Sequence, residues 1–265
     1  MASVCAWLGG GATLPLFLIA LPILGGLIIW LLKKNYALQV ATVVVFGLVN
    51  LFLCLALYLG GGVTVSLPFA GYGFEARFVS DGLSAVLPLF ASVVALLLSV
   101  YSVTFYRGKK EGGLFLLFFF VSVAFVNGAL LSDNLPVMLV FWEGLLVSMS
   151  VLLLIGNLQK PRAVIKMLWI SGIADLMLML GVIITIHVSG QSNISAITRL
   201  PVEGVGAAAC VLMLLGALAK AGAVPFHSWI PLAAEDAQSP FLALFPASLE
   251  KILGIGLAIR IVTQI

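Results

Sequence analysis

The chain has 265 residues, of which 63% are hydrophobic and 9% charged, and its formal net charge is +3. Soluble domains carry about 25% charged residues, so this composition excludes an ordinary soluble domain and indicates an integral membrane protein. The basic residues lie in short loops rather than in one patch, which argues against a nucleic-acid partner. We therefore take the lipid bilayer as the main solvent of this chain.

Eight apolar segments are long enough to cross a bilayer, which takes about 20 residues in a helix. They are predicted at Leu14–Leu32, Ala37–Leu59, Gly82–Thr104, Gly113–Leu131, Leu135–Ile155, Val164–His187, Gly204–Ile230 and Phe241–Ile265. The sequence therefore predicts an all-α polytopic membrane protein with about eight transmembrane helices.

The segment between the second and third spans has the pattern of two short strands. Apolar residues alternate with small or polar ones after Val63 and again from Phe74 to Phe78, on either side of Gly71-Tyr72-Gly73. Alternation with a period of two around a glycine-containing turn is typical of a β-hairpin. We predict a small hairpin here, on the outer side of the membrane.

Lysine and arginine are distributed unequally among the predicted loops. The loops after spans two, four and six contain only Arg77 and Arg199. The loops after spans one, three and five contain Lys33, Lys34, Arg107, Lys109, Lys110, Lys160 and Arg162. Because cytoplasmic loops are enriched in basic residues, we predict that the second set is cytoplasmic. Both termini, and Gly71 in the hairpin, would then lie outside the cell (inner) membrane, with Lys109 inside.

Few ionisable residues lie within the predicted spans. Lys166 and Arg260 lie near helix ends, where a long side chain can reach the interface, so we interpret both as snorkelling residues. Five others lie deeper: Glu143, Asp175, Lys220, Glu250 and Lys251. Ionisable residues at such depth are functional candidates by default.

Lys220 lies alone in the apolar seventh span, and Pro225 follows five residues later. Proline lacks a backbone donor and clashes with the preceding turn, so we predict a break in the helix at this point. Carbonyl groups freed at membrane depth need cover from protein or water. The segment Leu214–Pro240 is therefore predicted to form the centre of an ion path.

Glu143 and Lys251 are the primary candidates for partners of Lys220. They lie about 12 and 16 Å along their predicted helices, near the middle of the hydrocarbon layer. Small residues around Lys220 allow neighbouring helices to approach closely. Contact with Glu143 would keep Lys220 protonated, and separation would let it release a proton towards Lys251. The alternative is a static ion pair that holds the helices together.

Three further residues are secondary candidates. For Asp175, a structural pair or a subunit contact is as reasonable an interpretation as a relay role. Glu250 points about 100° away from its neighbour Lys251 on a helix, so these two should not pair with each other. Glu250 is interpreted as a relay member or as a partner for another chain. His227 suits proton transfer near neutral pH, and the alternative is that it satisfies carbonyl groups at the helix break.

Several sequence blocks resemble the antiporter-like subunits of respiratory complex I. That family includes Mrp-type cation/proton antiporters and the ion-pumping subunits of membrane-bound hydrogenases. The blocks are Phe141–Gly144, Leu152–Gly156, Lys220–Pro231 and Phe78–Ser84. Ser239-Pro240 followed by Pro246–Lys251 is most similar to the hydrogenase-type branch. The resemblance covers most of the chain.

The resemblance implies roles for individual residues. Glu143 and Lys220 take the places of a coupled glutamate–lysine pair, Lys251 that of a central relay lysine, and the seventh helix is expected to be discontinuous. Family members usually have about fourteen helices in two inverted repeats. We expect one membrane domain, with three helices and the hairpin in residues 1–104 and the first repeat in residues 113–265. Since the chain ends at Ile265, another subunit would supply the exit half, or the chain would be a half-channel dependent on neighbours, or conduction would be lost.

We therefore predict an ion-translocating subunit of a redox-driven proton or sodium pump, of the complex I or energy-converting hydrogenase type. Cys5, Cys54 and Cys210 fit no metal or disulfide spacing, and we expect no cofactor in this chain. Iron–sulfur centres, with nickel–iron or flavin centres as further options, are expected in partner subunits. The alternatives are a subunit of an Mrp-type secondary antiporter and a scaffold that only spaces other subunits.

Overall fold

A computed structural model of the chain describes residues 13–69, 74–156, 161–197, 199–201 and 203–265. Across these ranges the chain forms a helical bundle with one two-stranded antiparallel sheet. Seven helical segments among the described residues are long and apolar enough to cross a membrane, and a shorter apolar helix is the eighth. The predicted all-α, eight-span membrane fold is therefore confirmed.

The helices follow the predicted spans closely in the first six cases. They are α1 (Leu14–Leu31), α2 (Tyr36–Leu59), α3 (Gly82–Phe105), α4 (Gly112–Leu131), α5 (Leu135–Gly156), α6 (Arg162–Ser189), α7 (Gly204–Lys220), α8 (Trp229–Asp236), α9 (Ser239–Leu244) and α10 (Glu250–Gln264). Short 3₁₀ turns occur at Ile194–Ala196 and Phe226–Ser228. The last two predicted spans are each divided, and both divisions lie near the candidate site.

The predicted hairpin is present between α2 and α3. Strand β1 (Val63–Phe69) pairs with β2 (Phe74–Ser80), with Val65 opposite Phe78. Phe78 is buried against α5, where its ring meets Phe141 edge-on at 6.0 Å between centroids. The predicted turn at Gly71-Tyr72-Gly73 lies outside the described residues. Burial of one face explains the alternating pattern of the strands.

Basic loops lie at the end of the bundle opposite the hairpin. The Arg107 guanidinium lies 4.7 Å from the Tyr36 ring centroid, which joins the α3–α4 loop to the start of α2. At the hairpin end, Phe78 bridges to Ser132, and the Leu200 amide donates to Ile265 at 2.9 Å. Lys160 lies outside the described residues. Which end faces the cytoplasm stays a prediction.

Arg260 does not snorkel, so the interpretation of this residue was wrong. It is 7% exposed, and its two terminal nitrogens donate to the Ser132 and Leu130 carbonyls at 2.8 and 2.7 Å. These carbonyls lie at the C-terminus of α4, where the last acceptors of a helix lack intrahelical partners and attract a positive charge. Arg260 therefore ties α10 to the end of α4.

The eighth span is not one regular helix. A π-helical turn at Phe245–Leu249 separates α9 from α10 and contains Pro246, which has no N–H to donate. The Ser248 hydroxyl donates to the Ala243 and Leu244 carbonyls, each at 2.7 Å. The extra residue in this turn shifts the following residues by about 100° around the helix axis. This rotation decides which side chains of α10 point into the bundle.

Candidate functional site

Helix α7 ends at Lys220 in a hydrogen-bonded cap formed by the residues that follow. Gly222 has a φ of 73°, in the left-handed region. The Ala223 amide donates to Leu218 at 2.9 Å, and the Gly222 amide donates to Ala219 at 3.0 Å. This pair of bonds is the Schellman motif. The predicted discontinuity is confirmed, but glycine ends the helix before Pro225 is reached.

Lys220 pairs with Asp175, a residue of α6. The two residues are 2% and 3% exposed, and Lys220 Nζ lies 3.4 Å from Asp175 Oδ2. Trp142 of α5 donates its indole N–H to Asp175 Oδ1 at 2.6 Å. The Trp142 ring centroid lies 5.1 Å from Lys220 Nζ. Three helices thus meet at one buried charged cluster.

Close packing of α6 against α7 places the pair. A Cβ atom on Gly216 would lie 2.6 Å from the Leu178 Cβ and 3.1 Å from the Ala174 carbonyl oxygen. Gly216 is one turn before Lys220, and Ala174 directly precedes Asp175. Because no side chain separates the helices there, their backbones approach near the ion pair. The sequence signal for this approach was the run of small residues around Lys220.

Glu143, the expected partner of Lys220, lies beside the pair rather than in it. It interacts electrostatically with both Asp175 and Lys220. Its Oε1 atom is buried and has no hydrogen-bond partner among the described residues. Glu143 and Asp175 both line a groove of about 510 Å³ along α6, with Trp169 and Ile173 on its wall. Glu143 therefore lies on the groove side of Asp175.

Glu250 is buried in the bundle, whereas its neighbour Lys251 is exposed. Glu250 is 1% exposed, and it interacts electrostatically with Lys220 and Asp175. Its Oε1 atom has no hydrogen-bond partner in the described part of the chain. Lys251 is exposed on the outer flank of α10, beside Ile255. The structure therefore brings Glu250 to the cluster and does not bring Lys251 there.

Helix α10 reaches the cluster because Gly254 packs directly on the end of α7. A Cβ atom at Gly254 would lie 2.5 Å from the Ala217 oxygen and 2.5 Å from the Ala221 nitrogen. Glu250 lies one turn before Gly254 on α10. The contact of Gly254 with the end of α7 therefore brings Glu250 towards Lys220. The sequence signalled the α10 contribution by Glu250 itself, an ionisable residue within an apolar span.

His227 lies in the 3₁₀ turn after the break and is exposed, whereas Trp229 close by is buried. Within the described residues its ring makes no hydrogen bond to the carbonyls of α7. The described residues also contain no group of three or more His, Cys, Asp or Glu side chains that could hold a metal ion. Among the described residues, ionisable side chains and the Trp142 indole form the cluster around Lys220.

Comparisons with known proteins give consistent matches. Residues 132–265 match the protein family described as NADH:quinone oxidoreductase/Mrp antiporter, TM. A Na(+)/H(+) antiporter subunit of Alkalihalophilus pseudofirmus is 26% identical over 256 residues, which is 93% of this chain and 52% of that protein. NADH-ubiquinone oxidoreductase chain 5 of Cryptococcus neoformans var. grubii is 26% identical over 194 residues, 69% of this chain and 28% of that protein.

A solved structure has the same fold. It is a chain of the membrane-bound sulfane sulfur reductase, an archaeal respiratory membrane complex, with a TM-score of 0.77 and 24% identity. The superposition covers 91% of this chain and 40% of the other. The chain spans 52% of the antiporter protein and 28% of the oxidoreductase chain named above, so it matches only part of each relative.

Proposed function

The chain belongs to the NADH:quinone oxidoreductase/Mrp antiporter membrane family, and from this premise we propose that it translocates protons or sodium ions within a redox-driven pump of the complex I or energy-converting hydrogenase type. The observation that carries the proposal is the buried Lys220–Asp175 pair at the broken end of α7. A titratable pair at membrane depth is costly and is retained where it serves a pathway. The broken helix beside it supports the same conclusion.

Lys220 is the group that gains and releases the proton in this proposal. While Asp175 is ionised and in contact, it compensates the ammonium. When Asp175 is neutralised or moves away, the buried ammonium loses this compensation, and release of its proton becomes favourable. Glu143 stands on the groove side as the donor group, and Glu250 stands on the α10 side as the acceptor before Lys251. His227 would act at the exposed turn, outside this buried series.

Substitution of Lys220 tests the proposal. Glutamine cannot titrate, and arginine stays charged, so Lys220→Gln and Lys220→Arg should each lower ion uptake by about a hundredfold, the scale of a lost acid–base group. Uptake is measured in vesicles that contain the whole assembly, with subunit content measured in parallel. The matched controls are Lys166→Gln and Lys166→Arg on α6, which should keep normal uptake.

Full uptake by the Lys220→Arg variant would contradict the relay and favour a static ion pair. Full uptake by both Lys220 variants would favour the scaffold alternative. An intact assembly that loses uptake in both variants would support a titrating lysine.

The second candidate is a subunit of an Mrp-type secondary antiporter. It is favoured by the Alkalihalophilus pseudofirmus antiporter protein that matches 93% of this chain. Mild detergent extraction followed by identification of the bound subunits separates the two candidates. Iron–sulfur, nickel–iron or flavin proteins in the assembly support the redox pump, and an assembly without them supports the antiporter.

The exposed flank of α10 supports a membrane partner. Lys251 and Ile255, one turn apart, are both exposed there, on a segment apolar enough to cross a membrane. An ammonium facing hydrocarbon is unfavourable by about 2.5–3.5 kcal/mol even on the more lenient insertion scale. We infer that further polypeptide of a membrane assembly packs against this flank and covers Lys251.

A further inference from the structure

Trp142 contacts both charged side chains of the candidate site, and the proposed relay gives it no role. Its side chain is fully buried. Its indole N–H donates to Asp175 Oδ1 at 2.6 Å, and Asp175 Oδ2 lies 3.4 Å from Lys220 Nζ. The two oxygens of one carboxylate are therefore divided between the indole and the ammonium.

We propose that Trp142 is a positioning residue that fixes the Asp175 carboxylate for Lys220 and shares the charge of the ammonium. The indole bond to an ionised group is of the strong, charge-assisted kind. It prevents the carboxylate from rotating away from α7. The ring centroid lies 5.1 Å from Lys220 Nζ, within the range of a cation–π contact. The consequence for transport rests on the proposed function.

The position of Trp142 on α5 links the pair to Glu143. The two residues are adjacent, so their side chains point about 100° apart on the helix. Trp142 faces the Lys220–Asp175 pair, and Glu143 faces the groove along α6. Neighbouring side chains of α5 therefore contact the pair on one side and the groove on the other.

A double-mutant cycle tests the inference in the whole assembly. Trp142→Phe keeps an aromatic ring but loses the N–H, so it should lower ion uptake by about tenfold, the scale of a lost hydrogen bond to a charged group. Asp175→Asn lowers uptake by itself. If the two residues act as a unit, Trp142→Phe added to Asp175→Asn should cause no further loss. A residue that only fills space would add its full effect in both backgrounds.

Trp30→Phe is the matched control. Trp30 also has a lysine over its ring, with Lys33 Nζ at 5.0 Å from the centroid, but no hydrogen bond to a carboxylate within the described residues. We expect normal uptake from Trp30→Phe. Added to Asp175→Asn, it should leave uptake at the level of Asp175→Asn alone. Normal uptake by Trp142→Phe, or additive losses in the cycle, would overturn the inference.

A spectroscopic readout does not depend on transport. The ultraviolet resonance Raman band that reports indole N–H bonding is assigned to Trp142 by subtracting the spectrum of Trp142→Phe. In Asp175→Leu this band should move to the position of an unbonded indole, and in Trp30→Phe it should not move. An unmoved band in Asp175→Leu would refute the hydrogen bond. Normal transport in Lys220→Gln would instead refute the proposed function and leave this bond in place.

Discussion

Lys220 and Asp175 are nearly fully buried, and each is the partner that compensates the charge of the other. Removal of one member of such a pair leaves an uncompensated charge, which typically costs about 3–5 kcal/mol of stability. Replacement of both members by apolar residues of similar size often costs little. The pair therefore has a signature in stability that is separate from its role in transport.

Asp175→Leu should lower the free energy of unfolding by about 3–5 kcal/mol, because it leaves the Lys220 ammonium buried without a counter-charge. The double variant Asp175→Leu/Lys220→Met should recover most of this loss. The measurement is thermal unfolding of the purified assembly, monitored through the exposure of buried cysteine thiols. Equal losses in the single and double variants would show that the two charges do not compensate each other.

At the scale of elements, two interruptions of regular helix bring the site together. The cap at Gly222 ends α7 at the residue that carries the ammonium, and the π turn before α10 directs Glu250 inward. Both interruptions are local in the backbone, and they determine which side chains of α7 and α10 reach the charged cluster. The contacts of Gly216 and Gly254 then hold α6 and α10 against α7.

Gly222→Ala should impair transport because it disturbs the end of α7. The left-handed conformation of an alanine costs about 1–2 kcal/mol, and its Cβ would lie 2.9 Å from Ile230 Cδ1. Gly61→Ala is the control, since Gly61 has a φ of 78° and no atom within 4 Å of the position that a Cβ would occupy. We expect both variants to lose similar stability in unfolding measurements and only Gly222→Ala to lose ion uptake. Equal uptake in the two variants would show that the geometry of this cap is not needed.

At the scale of the whole molecule, the hairpin end is joined by a network around Asp133. Its carboxylate accepts from the Ser195 amide at 2.9 Å and the Ser195 hydroxyl at 2.7 Å, and it lies 3.3 Å from Arg77 Nε. These contacts connect the hairpin, the α4–α5 loop and the α6–α7 loop. The basic loops lie at the other end, so the bundle has the charge asymmetry expected of an oriented membrane protein.

This asymmetry predicts that the α3–α4 loop is cytoplasmic and that the hairpin is outside. Single cysteines at Lys109 and Ser66, in a background without native cysteines, can be labelled with an impermeant thiol reagent in sealed vesicles of each orientation. Lys109→Cys should react from the cytoplasmic side and Ser66→Cys from the other side. The cysteine-free background is the control. Reaction of both from one side would contradict the eight-span topology.

The sequence by itself determined the features that depend on neighbouring residues. Apolar length defined the first six helices, alternation defined β1 and β2, and Lys220 beside Pro225 marked the broken helix. The same stretch carried the family resemblance. These signals are local, because hydropathy, turn residues and proline act over a few positions of chain.

Only the tertiary structure decided which charges meet. Lys220 and Asp175 are 45 residues apart in the chain, and Asp175 rather than Glu143 pairs with Lys220 because backbone contact at Gly216 brings α6 onto α7. Glu250 rather than Lys251 faces inward because the π turn changes the phase of α10. Arg260 is buried because the end of α4 offers it two carbonyl acceptors. Each outcome depends on helix phase and on the distance between helices, and hydropathy along one segment contains neither quantity.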